Sequence, residues 1–580
     1  MCIRDSSIIK LINITVRYFM DRRVLLLVLL LAYLAYQQNT TQELSPQLNW
    51  VVESNPSGKD DMAYGICYSD KYIYVVGHDV SPGNAQWRIE MREKETGKLV
   101  KVWTHNPSRD DDELRDCVVV GDRLYVVGSD EVPGDPQWAI LMFDLNLTLI
   151  KIERSNPSGE GDHAYSIATD GEYLYIAGDE RVSRWRVEKR TLNLTLVKVY
   201  TSKSGLFAGI YGISINPATK HLWIAGYVLT EQDRERVLQG VVEILDKDLS
   251  KINDVAFNKF IPFGIAFDSE GNGYVYGFGI IAKLDKNGTV LTGRGNVALA
   301  GFHVGGRLYT VEPFGVPSLS LILMVKELQY LRSVYGVGVV ANISGFSVYS
   351  RTVFDGYSLY VVGSIEKAGD ERWFVASFSV PVGVELSAVD GFNVARPWVV
   401  EVANASGGVV GFVNGKGTLE VLSGRKYVAT VSAFGERFSK EFVAAEGLKV
   451  HVVVPTAKVQ VVVKDGFKRL RGWHVELVGI AKGNGTVGPL EVLGNRTYAA
   501  RVYAFGRWFN ETLYVATGRV YNITVAVPTA LLTVRAVDGF GRQRDWPVEV
   551  VGVSRGSGVV GPVEVLAGSY TVKAAALGAV

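Results

Sequence analysis

Apolar and polar positions alternate in short runs through most of this chain. In residues 63–104 they mark four strands: Ala63 to Tyr68, Tyr72 to Gly77, Trp87 to Arg92 and Leu99 to Thr104, the last reached through the turn Thr96-Gly97-Lys98. Period-two alternation with turn residues between runs predicts antiparallel strands. The second strand of this set is a phrase that recurs: Tyr72 to Gly77, Leu124 to Gly128, Leu174 to Gly178, Leu222 to Gly226, Tyr274 to Gly277, Leu308 to Val311 and Leu359 to Gly363. The copies stand about 50 residues apart, with one short interval near residue 300, and a period of this size built from four short strands predicts a propeller. The expected fold class is therefore all-β: a seven-bladed β-propeller over residues 46–380, followed by tandem β-sandwich repeats.

Ring closure is expected from the leading segment. Leu48 to Ser57 matches the outer-strand segments that end in Asn106-Pro107-Ser108 and Asn156-Pro157-Ser158. The last blade reaches only its third strand, Trp373 to Ser379, before the composition changes. The first strand is predicted to supply the missing edge, so that two open sheet edges disappear. Trp87, Trp138, Trp185 and Trp373 recur in third strands, and the aromatic residues are expected to fill the space between blades.

A second repeat follows. Asp390-Gly391-Phe392, Asp465-Gly466-Phe467 and Asp538-Gly539-Phe540 each have a tryptophan eight residues past the aspartate, at Trp398, Trp473 and Trp546. A strand ending in leucine follows at Leu419 to Leu422, Leu490 to Leu493 and Val563 to Leu566, and then a tyrosine strand at Tyr427, Tyr498 and Tyr570. Short strands with Gly-rich turns at this period predict small sandwiches. The expected divisions are 1–45 (leader), 46–380 (propeller), 381–456, 457–529 and 530–580, the third repeat lacking its last strands. This suggests a longer natural chain.

The strand-turn-strand Phe267 to Tyr276 resembles that of NHL- or kelch-like propellers. Its Asp-Ser-Glu-Gly-Asn run is read as a hairpin turn and not a calcium loop. The Asp-Gly-Phe modules resemble the carboxypeptidase-regulatory-like and immunoglobulin-like repeats of surface proteins. The Val, Tyr and Gly content, few cysteines and many sequons are similar to surface proteins of heat-loving archaea. These resemblances imply a recognition head on a spacer.

Residues 24–36 form an apolar run behind Asp21-Arg22-Arg23, short for a membrane span and suited to a signal-peptide core, or to an anchor if it is not cleaved. Met20 is a plausible start, and Met1 to Ser6 carries no structural meaning. Of 23 asparagines, 11 lie in Asn-x-Ser/Thr, among them Asn39, Asn146, Asn193, Asn287, Asn342, Asn404, Asn484, Asn495, Asn510 and Asn522. They point to export and glycosylation. Residues 46–380 are net acidic and 381–580 net basic, which argues against nucleic-acid binding by the head. Of three cysteines, Cys67 and Cys117 fall at near-equivalent places in adjacent blades and are expected to be buried free thiols, not a disulfide.

No catalytic set is found: no Gly-x-Ser-x-Gly, no His-Glu-x-x-His and no phosphate loop. The seven histidines are scattered, and no metal or cofactor is expected. The best candidate site is an acidic rim. Loops from outer to next inner strand carry Asp60, Asp61, Asp110, Asp111, Asp112 and Asp162. Loops from second to third strand carry Asp79, Asp130, Glu131, Asp179 and Glu180. Both loop types open on one propeller face, where they would attract a cation or a basic partner; as turn residues they would need no ligand. The expected function is an exported binding or structural protein with an unknown surface ligand, protein or glycan. The alternative is an extracellular hydrolase, lyase or quinone-dependent oxidoreductase with its site at the channel mouth.

Overall fold

The computed structural model describes Leu44 and residues 46–576, except 133, 182, 203–204, 233–234, 296, 299, 305, 315–317, 326–349 and 368. The chain divides into two compact units, one of residues up to 353 with 360–381, the other of 354–359 with the remainder.

The first unit is built of antiparallel sheets whose strands follow one another in sequence. Among the described residues there are seven. The first comprises Met62–Tyr68, Tyr72–Asp79, Gln86–Glu93 and Leu99–His105. The second runs from Glu113–Val120 to Leu149–Ser155, the third from Ala164–Thr169 to Leu196–Thr201, the fourth from Phe207–Ile215 to Lys251–Asn258. The fifth runs from Ile261–Phe267 to Val290–Arg294, and the sixth has three strands, Ala300–Val304, Arg307–Phe314 and Ser318–Val325. The seventh sheet joins Ser350–Phe354, Leu359–Lys367 and Asp370–Ser379 to the leading strand Gln47–Ser54. Ser54 lies opposite Trp373 and Gln47 opposite Ser379, so the first strand closes the last sheet as its sequence predicts. From the first sheet to the sixth, first strands of consecutive sheets lie side by side, and the seventh sheet meets the first strand of the first, which makes the arrangement propeller-like.

The glycine that ends the repeated phrase has a specific steric task. In the first five sheets the first strand carries a β-bulge opposite it: the register shifts between Ala63 and Gly65, Leu114 and Asp116, Ala164 and Ser166, Ile210 and Gly212, and Pro262 and Gly264. The bulge drives a backbone carbonyl toward the partner strand. A methyl group at Gly77, Gly128, Gly178, Gly226 or Gly277 would stand only 2.0–2.2 Å from that oxygen. The sixth sheet is the internal control: its phrase has Val311 in place of glycine, and its first two strands pair without any shift.

Tryptophan joins the first, second, third and seventh sheets each to the next. Trp87, Trp138, Trp185 and Trp373 are fully buried. Their indole nitrogens donate to the carbonyls of Ser129, Asp179, Tyr227 and His78 at 2.9, 3.0, 3.3 and 3.0 Å. Each acceptor immediately follows a phrase glycine of the next sheet. Burial of one indole contributes about 5 kcal/mol before entropy is counted.

The cysteine expectation is corrected. Cys67 and Cys117 form a disulfide, with Cα atoms 5.7 Å apart. The pairing registers show why. Cys117 corresponds to Ile66, not to Cys67. That one-residue offset turns the two thiols to opposite faces of their own sheets, and so toward each other across the interface. The bond closes a loop of 50 residues, for which restriction of the unfolded chain contributes about 4 kcal/mol.

In the second unit each repeat packs a sheet containing its first strand against a second sheet. In the second repeat, Thr456–Lys464 pairs with Thr486–Leu493 and, in parallel, with Val520–Ala526. Val459, Val461 and Val463 from this layer share a core with Val475, Leu477 and Val502 from the other. Tyr427, Tyr498 and Tyr570 each bond backbone at the leucine ending the preceding strand: Leu422, Leu493 and Leu566.

Gly178→Ala is expected to destabilise the first unit by about 3 kcal/mol. Gly161→Ala, where the nearest atom to a new methyl lies at 3.5 Å, should stay within about 0.5 kcal/mol of the parent. Thermal unfolding of both variants measures this, and equal midpoints would remove the steric role given to the phrase glycine.

Candidate functional site at the axis of the first unit

A bulge leaves one residue without a ladder partner and re-aims its side chain. The five bulged residues are Tyr64, Arg115, Tyr165, Tyr211 and Phe263, one per sheet in order. They form an arc around one end of the axis. The Arg115 guanidinium lies 4.2 Å from the Tyr64 ring centre and 5.7 Å from that of Tyr165. Tyr165 and Tyr211 are 6.1 Å apart, and Tyr211 and Phe263 5.7 Å.

Charged groups flank the arc in bonded sets. Glu113 pairs with Arg115 and accepts from the Tyr64 hydroxyl at 3.1 Å, while His78 Nδ1 stands 3.5 Å from it. Burial holds the His78 imidazole below its ordinary pKa, outweighing the opposing pull of Glu113. His163 lies between Asp179 and Glu131, 3.2 Å from each. Burial pulls its pKa down, but the two carboxylates outweigh this and hold it up at about 10. His163 is thus an imidazolium at neutral pH and unsuited to act as a general base.

Below the arc, the residues after the bulges are small or polar: Gly65, Asp116, Ser166, Gly212 and Gly264. A cavity of about 230 Å³ opens here, lined by Asp116, Ser166, Gly212, Gly264, His303 and Arg351 among others. Arg351, from the seventh sheet, crosses the axis and donates to the backbone carbonyls of Phe263, at 3.2 Å, and Tyr211. Asp116 accepts from Ser166 Oγ at 2.8 Å and from the Ile167 amide at 3.2 Å. Burial pushes its carboxyl up, and the Arg351 charge opposes that.

The acidic-rim residues have other surroundings than an open rim. Asp61, Asp79, Asp112, Asp130, Asp162, Asp179 and Glu180 are buried; Glu131 is half-buried, and Asp60, Asp110 and Asp111 are exposed. Asp61, Asp112 and Asp162 do one repeated task. Each accepts from the backbone and hydroxyl of the serine four residues earlier, Ser57, Ser108 or Ser158. Each also accepts from the amide of Val80, Glu131 or Arg181, so the two loop types are tied together. Asp79 accepts from Gln86 and Arg88, Asp130 from Arg154, and Glu180 from Arg184 and Arg186. Among the exposed acids, Asp60 accepts from the Glu371 amide and Asp111 from the Ala85 amide.

Asn146, Asn193, Asn287, Asn484, Asn495, Asn510 and Asn522 are exposed and Asn404 is half-buried. Asn39, Asn342 and the apolar run 24–36 lie outside the described residues. Asp268 closes a hairpin by accepting from the Glu270 and Asn272 amides. Among the described residues no group of His, Cys, Asp or Glu is placed to hold a metal ion, and no helix is long and apolar enough to cross a membrane.

The aromatic arc escapes a reading by loop composition. Its signal is the triplet before each phrase: Ala63-Tyr64-Gly65, Leu114-Arg115-Asp116, Ala164-Tyr165-Ser166, Ile210-Tyr211-Gly212 and Pro262-Phe263-Gly264.

No family model and no curated protein matches this chain. Solved structures do. The Dos1 propeller is 10% identical with a TM-score of 0.39, covering 57% of this chain and 94% of its own. Sqt1 from Chaetomium thermophilum is 12% identical with a TM-score of 0.34, covering 55% and 83%. A putative 6-phosphogluconolactonase from Bacteroides uniformis is 14% identical with a TM-score of 0.33, covering 53% and 92%.

A histidine whose folded pKa is raised stabilises the fold fully below its unfolded pKa and loses that contribution as pH rises through the folded one. For His163 the window runs from about 6.5 to about 10. The stability deficit of His163→Gln should therefore be largest near pH 6 and shrink toward pH 10, read as unfolding midpoints across that range. A deficit independent of pH would contradict the imidazolium assignment.

Proposed function

We propose that this protein is an exported recognition protein, its first unit a seven-bladed head that binds a surface glycan at the axial mouth, its second unit a spacer of immunoglobulin-like modules. One observation carries the reading: the arc of bulged Tyr64, Arg115, Tyr165, Tyr211 and Phe263, whose side chains share one end of the axis. The bulge sets the backbone at these places but does not dictate the side chain, and the chain puts aromatic rings and a guanidinium there, in contact one with the next. Aromatic rings beside internally paired charges suit a neutral sugar, whose apolar face stacks while its hydroxyls reach Asp116, Ser166 and Arg351 below. His163, engaged by two carboxylates, supports binding over acid–base chemistry.

Export is supported by the Cys67–Cys117 disulfide, which belongs to oxidising compartments. The exposed sequon asparagines agree with it. The spacer role is supported by tandem modules of one design.

The binding reading is tested on a glycan array with the intact chain, followed by titration of the best ligand. Tyr165→Ala with Tyr211→Ala should weaken binding about thirtyfold, as for central aromatic contacts. Asp60→Asn with Asp111→Asn, both on exposed loops, should leave affinity unchanged. Retained affinity in the tyrosine variant would move the site away from the axis; binding to a protein partner and to no glycan would overturn the sugar assignment.

A further inference from the structure

In the second unit, the glycine of each Asp-Gly-Phe turn differs in its surroundings. A methyl group at Gly391 would stand 1.9 Å from the carbonyl oxygen of Thr456, and at Gly466 2.1 Å from that of Thr529. Both threonines open the first strand of the next repeat. Neither glycine has a positive φ, so close approach of the following module, not backbone conformation, demands glycine there. The amides of Gly391 and Gly466 donate to the Thr456 and Thr529 hydroxyls, each at 3.0 Å.

Charge completes the contact. Arg396 of the first repeat bonds Asp390 in its own turn at 2.8 Å and reaches Glu491 of the second at 2.5 Å. Glu491 also accepts from the Thr456 hydroxyl at 2.8 Å, 35 residues away in sequence. One repeat later, Arg471 pairs with Glu564, and Arg469 lies 3.6 Å from it. In the first turn Lys458 of the second repeat lies 5.5 Å from the centre of the Phe392 ring, and Phe467 of the second turn is 44% exposed.

The third repeat keeps every element of this face. Asp538 accepts from the amides of Phe540 and Arg542, and Arg544 bonds Asp538, as in the docked turns. Yet no atom lies within 4 Å of a methyl built at Gly539, and Phe540 is 87% exposed. Gly539 also lacks a positive φ. Nothing among the described residues explains a glycine there.

We infer that the Asp538-Gly539-Phe540 turn is a docking face for a further sandwich module, one that opens its first strand with a threonine and carries a glutamate 35 residues later. The module is joined behind the third repeat as the second and third are joined behind their predecessors. A second copy of this chain does not fit. Its Thr456–Glu491 and Thr529 with Glu564 are already held by the preceding repeats, and the first repeat has Val382 where the others have threonine.

Two measurements test this. In the chain as it stands, Gly391→Ala and Gly466→Ala should lower the unfolding midpoint of the second unit, and Gly539→Ala should leave it unchanged. Equal losses in all three would show that the glycine serves the turn itself and would overturn the inference. In a chain extended after Val580 by a copy of residues 509–580, which supplies the rest of the third repeat and a new threonine and glutamate, amide exchange at Gly539 and Phe540 should slow about tenfold or more. Gly539→Ala should then become destabilising. Changing the appended threonine to valine and the appended glutamate to glutamine should reverse both effects. Unslowed exchange in a folded extended chain would sink the proposal.

Discussion

The first unit depends on an absence: the missing Cβ at Gly77, Gly128, Gly178 and Gly226. Two things use that space. The bulged strand of the same sheet pushes a carbonyl into it, and for Gly178 and Gly226 the indole edge of the preceding sheet's tryptophan approaches to 2.7–2.8 Å of where a methyl would be. The tryptophan then bonds the very next carbonyl. One glycine therefore permits both the distortion that aims side chains at the axis and the contact that fixes the angle between sheets. A methyl group would set these two demands against each other, and overpacking of this kind has no cheap relaxation when the opposing atoms are backbone.

The buried carboxylates follow a related logic. Asp61, Asp112 and Asp162 each satisfy amide and hydroxyl donors that loops would otherwise leave open. Deeper in the sheets, Glu90 binds Arg88 and Arg92, and Glu188 binds Arg186 and Arg190, all on third strands. The equivalent positions of the second sheet are Ala139, Leu141 and Phe143, which pack with the disulfide in one apolar interface. Sheet interfaces are thus of two kinds, ionic and apolar.

The strands, the phrase glycines and the closing segment were legible because each is written as local alternation or as a repeated string. What stayed hidden depends on register. Cys67 and Cys117 look equivalent by spacing, but one inserted residue reverses the face of one of them, and only the pairing with Tyr74 and Val126 reveals it. Tyr64, Tyr165 and Tyr211 look like core aromatics until the bulges are seen. The acids drew attention because they recur, yet recurrence reflected a shared turn built with Ser57, Ser108 and Ser158. Arg351 was invisible for a further reason: its partners Tyr211 and Phe263 lie 140 and 88 residues away, and it binds their carbonyls, which carry no side-chain signature.

Sealing by the leading strand carries a kinetic consequence. Gln47–Ser54 leaves the ribosome before its partner Asp370–Ser379, which emerges more than 300 residues later. At about 5–20 residues per second, that interval is of the order of tens of seconds. Throughout it the nascent chain holds Leu48, Trp50 and Val52 on an unpaired strand, with the seventh sheet incomplete. Loop closure over such a distance is slow and comes late. The seventh sheet is therefore the last to be completed, and a chain released before residue 370 lacks the partner of its leading strand and keeps an unpaired sheet edge.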